Sequence, residues 1–193
     1  MPKPAVFLSV AAVVLVLVVA GVLLSGGGGD EPGPAPQGYA KFSGDFGGQT
    51  VRFSYPRAWG AAERTTEQGV QIVRFRGPPD AAGERSVVRL NAKPDTTADF
   101  DVQFNLIDGN DRLQLLNDNQ LSKEDVDVPG AEQATKRVLE YDLKTTAGVQ
   151  RSRSSAIFAL GKRGLFVSLI VDPLPAKPDV DAGAVLESLT LDG

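Results

Sequence analysis

Four oxygen-bearing side chains in one polar stretch have the chemistry of a hard-cation site: Asp108, Asn110, Asp111 and Asp118. Carboxylate and amide oxygens are the ligands that Ca²⁺ takes in loop sites. An EF-type loop beginning at Asp108 needs an oxygen ligand at its fifth position and glycine at its sixth, where this chain has Arg112 and Leu113. The spacing therefore favours a solvated loop and predicts no metal site.

A basic face is the second candidate, and it is formed by residues of two neighbouring predicted strands: Lys136, Arg137, Arg151 and Arg153. Such a face could bind an anionic lipid or polymer. Glu140 and Asp142 lie close enough to intersperse these charges, and charges on the solvent side of a sheet are common. We expect a solvated surface of mixed charge.

Acid–base and nucleophilic chemistry has few candidates. The serines of the segment RSRSS, residues 151–155, form no G-x-S-x-G or S-x-x-K pattern that would pair them with Lys144 or Lys162. Glu140 and Asp142 would serve glycoside hydrolysis only if they lined a covered groove. We therefore predict no catalytic residue, no cofactor-binding residue and no metal-binding residue.

Most other acidic residues occur in turns or polar stretches, where we expect solvent to keep each pKa near about 4. These residues are Asp99, Asp101, Asp108, Asp111, Asp118, Glu124, Asp125, Asp127, Asp172, Asp179 and Asp181.

Composition excludes several classes of function. The chain has no histidine and no cysteine, which excludes Ser-His-Asp hydrolases, typical zinc enzymes, disulfides and a lipidated N-terminal cysteine. Its 20 basic and 24 acidic residues give a formal charge of −4, without a basic block that could neutralise a row of phosphates. Nucleic acid is not an expected partner, and no cofactor is implied.

Two aromatic residues flank a predicted strand end. Tyr55 with Pro56 and Trp59 could form an aromatic platform for a sugar or a lipid headgroup. Large aromatic side chains usually bury their area. We favour the interpretation that the strand ends at Pro56 and that Trp59 covers the end of the core.

An apolar segment over residues 5–24 contains no charge and nothing more polar than Ser9. A helix of this length spans about 30 Å, the thickness of a bilayer core. With Lys3 before it and Asp30 after it, the expected topology is a cytoplasmic stub at 1–4, a transmembrane anchor at 5–24 and a C-terminal domain outside the cytoplasm. A cleaved signal peptide ending near 25–29 is the alternative.

The segment 25–38 is rich in glycine and proline and predicts a disordered linker. Residues 39–193 suit one domain, which we expect to be monomeric. Alternating polarity predicts strands at 39–45, 50–55, 71–76, 85–92, 133–143, 151–160 and 165–171.

Helical periodicity predicts a first helix at 96–108, with Phe100, Phe104 and Ile107 on its apolar face. Thr96 with Asp99 is the expected capping pair, and Gly109 the expected end. A second helix is predicted at 180–188, followed by a short strand at 189–191. This order predicts an α+β domain with a single antiparallel β-sheet and helices packed on it.

Three segments are similar to the PsbP-like α/β/α sandwich: FSYPRAW at 53–59, VPGAEQATKRVLEYDL at 128–143, and the closing helix with SLTL at 188–191. Within that fold the chain resembles the LpqN-type envelope lipoproteins of high-GC Gram-positive bacteria. Those proteins carry an acylated cysteine, which this chain lacks, so an apolar helix would replace the lipid. The resemblance implies a protein that binds and stabilises partners, with no shared catalytic residues to carry over.

Two functional hypotheses follow. The first is a membrane-tethered extracytoplasmic binding or accessory module that acts on proteins or polymers of the cell envelope, a role that grades into a structural subunit of a larger complex. The second is a carboxylate-dependent cell-wall hydrolase, which would need two facing carboxylates about 5–10 Å apart in a cleft.

Overall fold

The structure is a computed structural model of the 193-residue chain. It describes residues 37–81, 83–113, 115–145, 148–173 and 179–193. The predicted stub, the apolar segment 5–24 and all but the end of the 25–38 linker lie outside the described residues.

Strands make up 57% of the described residues and helices 14%. The strands are β1 (Tyr39–Phe46), β2 (Gln49–Pro56), β3 (Glu63–Glu67), β4 (Val70–Arg76), β5 (Val87–Lys93), β6 (Leu116–Asp125), β7 (Ala131–Thr145), β8 (Gly148–Gly161), β9 (Phe166–Asp172) and β10 (Thr190–Asp192). The helices are α1 (Phe100–Arg112), α2 (Ala182–Leu186) and a 3₁₀ turn at Lys162–Gly164.

The strands form two antiparallel sheets. A small sheet has the order β1-β2-β10, and a large sheet has the order β3-β4-β5-β9-β8-β7-β6. Hairpins join β1 to β2, β7 to β8 and β8 to β9, each in the register that its alternating pattern requires. The predicted meander is confirmed as β7-β8-β9 at the centre of the large sheet.

The main core lies between the two sheets. Phe42 and Phe53 of the small sheet contact Phe75 of the large sheet, with ring centroids 5.7 and 5.9 Å apart. Tyr55 stacks on the same ring at 3.9 Å. Trp59 is 6% exposed and belongs to this cluster, so the interpretation that it covers the core is confirmed.

Helix α1 covers part of the opposite face of the large sheet. Phe100 and Phe104 pack against Phe158 and Phe166, with Phe104 and Phe158 in an edge contact at 4.8 Å. The predicted apolar face of this helix is therefore confirmed. Since β9 and the second half of β8 are covered on both faces, their side chains are buried at almost every position there.

The prediction of one sheet with packed helices is wrong, because the described chain is mostly β and has two sheets. Strand β10 pairs with β2, which makes β1-β2-β10 a separate sheet on the core face that helices were expected to cover. The predicted helix at 180–188 is reduced to the five residues of α2. Strand β3 escaped prediction because all five of its residues are exposed. For β6 the sequence indicates only a weak strand within 111–128, since nearly all of its residues are polar or exposed.

The predicted bounds of the first helix also need correction. Asp99 is its N-cap, but its side chain makes no capping hydrogen bond. The hydroxyl of Thr96 accepts from the Ala98 N–H at 3.4 Å instead of pairing with Asp99. Gly109 lies inside α1, which continues to Arg112.

The expected single-pass membrane location is a further correction. The longest helix among the described residues is α1, with 13 residues, and no helix there is long and apolar enough to cross a bilayer. The segment 5–24, on which this expectation depended, lies outside the described residues. The transmembrane and plasma-membrane assignments are therefore not retained.

The turn before β7 gives a test of this fold. Gly130 has φ +81°, and a Cβ there would overlap the carbonyl of Leu191 in β10. Gly69 has φ +80° with nothing within 4 Å. We expect Gly69→Ala to cost about 1–2 kcal/mol from backbone strain alone, and Gly130→Ala to cost about 3 kcal/mol or more.

Urea unfolding of both variants measures the difference. Equal losses would contradict the close approach of the β6–β7 turn to β10.

Candidate functional site

The C-terminal part of α1 and the large sheet enclose a cleft of about 420 Å³, which we call the α1 cleft. Its polar lining includes two arginines, two aspartates, a tyrosine and a serine: Arg89, Arg137, Asp111, Asp172, Tyr141 and Ser154. Asp142, Lys144 and leucine and isoleucine side chains complete the lining. Volumes of this order are typical of ligand sites.

Strand register places the two arginines in one row across the sheet. Arg89 of β5 is opposite Ile170 of β9, which is opposite Ala156 of β8, which is opposite Arg137 of β7. Residues directly opposite one another point to the same face. Both arginines therefore lie on the face that α1 covers, where each forms an ion pair with an aspartate of that helix.

Arg137 is the most completely buried charged residue of the site, with 1% exposure. It forms an ion pair with Asp108 of α1, and its guanidinium carbon lies 5.1 Å from the centroid of the Phe158 ring. Burial lowers its pKa to about 10, with the nearby Arg89 adding to the effect and Asp172 opposing it. The guanidinium still remains charged near neutral pH.

A second ion pair closes the other side of the cleft. Arg89 Nη2 lies 2.9 Å from Asp111 Oδ1, and both side chains are partly exposed. Desolvation raises the pKa of Asp111, while the charge and hydrogen bond of Arg89 lower it. The two arginines thus attach α1 to β5 and β7 through Asp111 and Asp108.

Asp172, at the end of β9, retains some exposed surface in the cleft. Desolvation raises its pKa, and the charge of Asp111 adds to that effect, whereas the Ser154 hydroxyl and both arginines oppose it. Desolvation and the charge of Asp172 also raise the pKa of Tyr141. Desolvation in the cleft therefore raises the pKa of two carboxyl groups, Asp111 and Asp172.

Some polar atoms of the ion-paired residues make no hydrogen bond. Arg89 Nε, Arg137 Nε and Asp111 Oδ2 are buried and have no hydrogen-bond partner among the described residues. An unpaired buried polar atom costs about 1–3 kcal/mol. A polar group that entered the cleft and reached these atoms would offset that cost.

The expected solvated loop at 108–118 is wrong. Asp108 and Asp111 lie on α1, and Asp118 lies on β6, where it binds Arg112 at 2.6 Å. Asp108 is buried, so the expectation that solvent reaches it is wrong. The expectation of a pKa near the usual value is wrong for Asp111 and Asp172, because desolvation raises both. Among the described residues, no group of three or more acidic side chains could hold a metal ion.

The basic face is divided by the structure. Arg151 and Arg153 are exposed and paired with Asp142 at 2.9 Å and Glu140 at 3.0 Å, so the mixed-charge surface is confirmed for these residues. Arg137 lies on the opposite, buried face. Strong hydrogen bonds from Asn117 and Arg151 lower the pKa of Asp142, which does not suit a general acid.

The sequence contained a signal for the buried charges. Arg137 has the same parity as Leu139 and Tyr141, which alternation assigns to one face, and Asp108 follows Phe104 by four residues along the apolar stripe of α1. The prediction placed both residues in solvent because they are charged, although their positions in the two patterns indicate burial. Asp172 carried no such signal, because it follows a continuous apolar run.

Comparisons with known proteins add little. No protein-family model matches the sequence, and no curated protein matches it. A crystal structure of a protein of unknown function from Pseudomonas aeruginosa is 14% identical, covers 65% of this chain and 78% of its own, and has a TM-score of 0.39. A likeness of this degree carries no argument about fold or function, and the resemblance to PsbP-like and LpqN-type proteins stays a prediction.

Arg137 gives the first test of the site. We expect Arg137→Met to lower the free energy of unfolding by about 3–5 kcal/mol, because Asp108 loses its buried partner and keeps only the longer contact with Arg112, at 3.9 Å. Adding Asp108→Asn should recover part of that loss. Arg76→Met, which breaks an exposed pair with Glu63, should cost less than about 1 kcal/mol.

Chemical denaturation of the three variants measures these differences. A loss for Arg137→Met no larger than that for Arg76→Met would show that the buried pair does not hold α1 on the sheet.

Asp172 gives a pH test. In the folded protein the pKa of Asp172 is raised above the usual 3.8. The folded state therefore binds this proton more tightly than the unfolded state does. The stability that the proton contributes is present at low pH and is lost as pH rises through the folded pKa. The stability of Asp172→Asn minus that of the parent protein should therefore increase as pH rises from about 4.

Asp142→Asn is the control, because its carboxyl has a lowered pKa and its stabilising effect appears above the unfolded value. Its stability difference should change with the opposite sign. Melting temperatures between pH 3 and 8 test both trends, and parallel trends would contradict the assignment of Asp172 to a desolvated site.

Proposed function

We propose that this domain is a binding or accessory module and that the α1 cleft is its binding site. The observation that carries the proposal is the presence of two ion pairs at the cleft, Arg137 with Asp108 and Arg89 with Asp111. Some polar atoms of these residues have no hydrogen-bond partner among the described residues. Fixed side chains of this kind suit recognition, since little ordering is needed when a ligand binds. The predicted partner class, a protein or polymer of the cell envelope, is part of the same proposal.

A hydrolase is the second candidate, and one observation favours it. Asp111 and Asp172 line the same cleft, and desolvation raises the pKa of both. A raised carboxyl pKa is the direction of shift that a general acid requires. In this candidate Asp172 replaces Glu140 and Asp142, the carboxylates considered from the sequence.

Site-specific photocrosslinking of the full-length protein in cells tests the binding proposal. A photoreactive amino acid at Leu116 or Lys144, both exposed at the cleft, should give a discrete adduct. The same amino acid at Glu67, an exposed position of β3, is the control and should not. Adducts from position 67 alone would contradict the proposal.

Turnover assays separate the two candidates. Purified protein should release no product from peptidoglycan, polysaccharide or ester substrates if it is a binding module. Turnover that Asp172→Asn abolishes, and that Glu140→Gln keeps, would favour the hydrolase instead.

A further inference from the structure

Helix α1 has a second apolar stripe, on the side that faces away from the large sheet. Val102, Leu106 and Leu113 are 56%, 53% and 84% exposed, whereas the aromatic side chains of this helix are buried against the sheet. Leu113 is the C-cap and keeps helical dihedral angles, with φ −57° and ψ −21°. At 3.6 residues per turn, positions 102, 106, 109 and 113 fall within about 60° of one another around the helix axis. Surface helices usually carry polar side chains on this side, so the stripe indicates a contact surface.

The spacing of the stripe is four, three and four residues, the alternation that packs one helix against another. Gly109 occupies one of the two central positions, and a Cβ there would meet no described atom within 4 Å. Glycine at such a position lets a second backbone approach closely. Leu106 lies four residues from one end of the stripe and Gly109 lies four from the other. An antiparallel second copy would therefore place Leu106 over Gly109 of that copy, a large side chain against a gap, and would do so twice.

The charges on one flank of α1 favour the same arrangement. Asp101 and Arg112 are eleven residues apart, about three turns, and so lie on the same side of the helix. Asp101 is exposed and forms no ion pair with a described residue. Arg112 binds Asp118 at 2.6 Å and is 37% exposed, and its five N–H donors allow it to bind a further carboxylate. An antiparallel copy would bring Asp101 beside Arg112 of the second copy, whereas a parallel copy would bring it beside a second Asp101.

We infer that α1 joins two copies of this chain in a two-fold symmetric dimer, in which the outer stripes of the two helices pack antiparallel. This surface is on the side of α1 away from the α1 cleft, so the inference does not depend on the proposed function. It replaces the expectation of a monomeric domain. A contact between two short helices belongs to the interfaces below about 1,200 Å² that are typical of weak association.

Introduced cysteines test the contact, because the chain has none of its own. In the full-length protein under mild oxidation, Leu106→Cys should give a disulfide-linked dimer. The two copies of position 106 lie about 5 Å apart along the helix axis in this arrangement, which is within the reach of a disulfide. Leu121→Cys is the matched control, since Leu121 is also an exposed leucine, at 44%, and lies on β6. It should form far less of the linked dimer.

A second pair of cysteine variants tests the direction of the helices. Val102→Cys and Leu113→Cys should each stay unlinked alone, because two copies of position 102 lie about 16 Å apart along the axis of an antiparallel pair, too far for a disulfide. A mixture of the two variants should form a disulfide between positions 102 and 113. All of these positions are exposed, so the fold should tolerate the substitutions.

Sedimentation equilibrium of the full-length protein measures the affinity, over about 10 to 500 µM because the association is expected to be weak. Leu106→Asp places two like charges near the two-fold axis and should raise the dissociation constant by about tenfold or more. Leu121→Asp should leave the dissociation constant unchanged.

Several results would overturn the inference. The parent protein could stay monomeric over the whole range, Leu121→Cys could link as fully as Leu106→Cys, or Leu106→Asp and Leu121→Asp could have equal effects. A disulfide formed by Val102→Cys alone would require parallel helices and would also overturn it. Association through another segment, such as 5–24, would persist in Leu106→Asp and would show that α1 is not the interface.

Discussion

The buried ion pair between Arg137 and Asp108 is the interaction on which the polar half of the large sheet depends. It fixes the C-terminal half of α1 over β7, while Phe100 and Phe104 fix the N-terminal half over β8 and β9. The helix is thus held by apolar packing at one end and by charge at the other. The α1 cleft lies at the charged end, where side chains are too polar to close the space by packing.

The two faces of the large sheet differ in polarity. The face toward the small sheet is apolar, and its phenylalanine cluster supplies the burial that a chain without disulfides needs. The face toward α1 is apolar only over part of its area. Buried ion pairs contribute little net stability compared with apolar packing, and under the proposed function the charged part of that face serves recognition.

Burial also changes the chemistry of the cleft. Desolvation raises the pKa of Asp111 and Asp172, while the charge of Arg89 lowers both. The same carboxyl groups keep the hydrolase as the competing candidate, since their raised pKa suits a proton donor as well as a hydrogen-bonding wall.

The sequence by itself determined the strands of the central meander, the apolar stripe of α1 and the burial of Trp59, because alternation and helical periodicity are local properties. It also determined the absence of histidine and cysteine chemistry. Only the tertiary structure decided that β10 joins β2 in a second sheet and that Arg89, Arg137 and Asp172 meet beneath α1. Those outcomes depend on pairing between segments distant in the chain, and on which face a helix covers, and neither is encoded in a local pattern. Burial then placed Asp108 in an ion pair with Arg137 and raised the pKa of Asp111 and Asp172. All three resemble ordinary surface carboxylates until their neighbours are known.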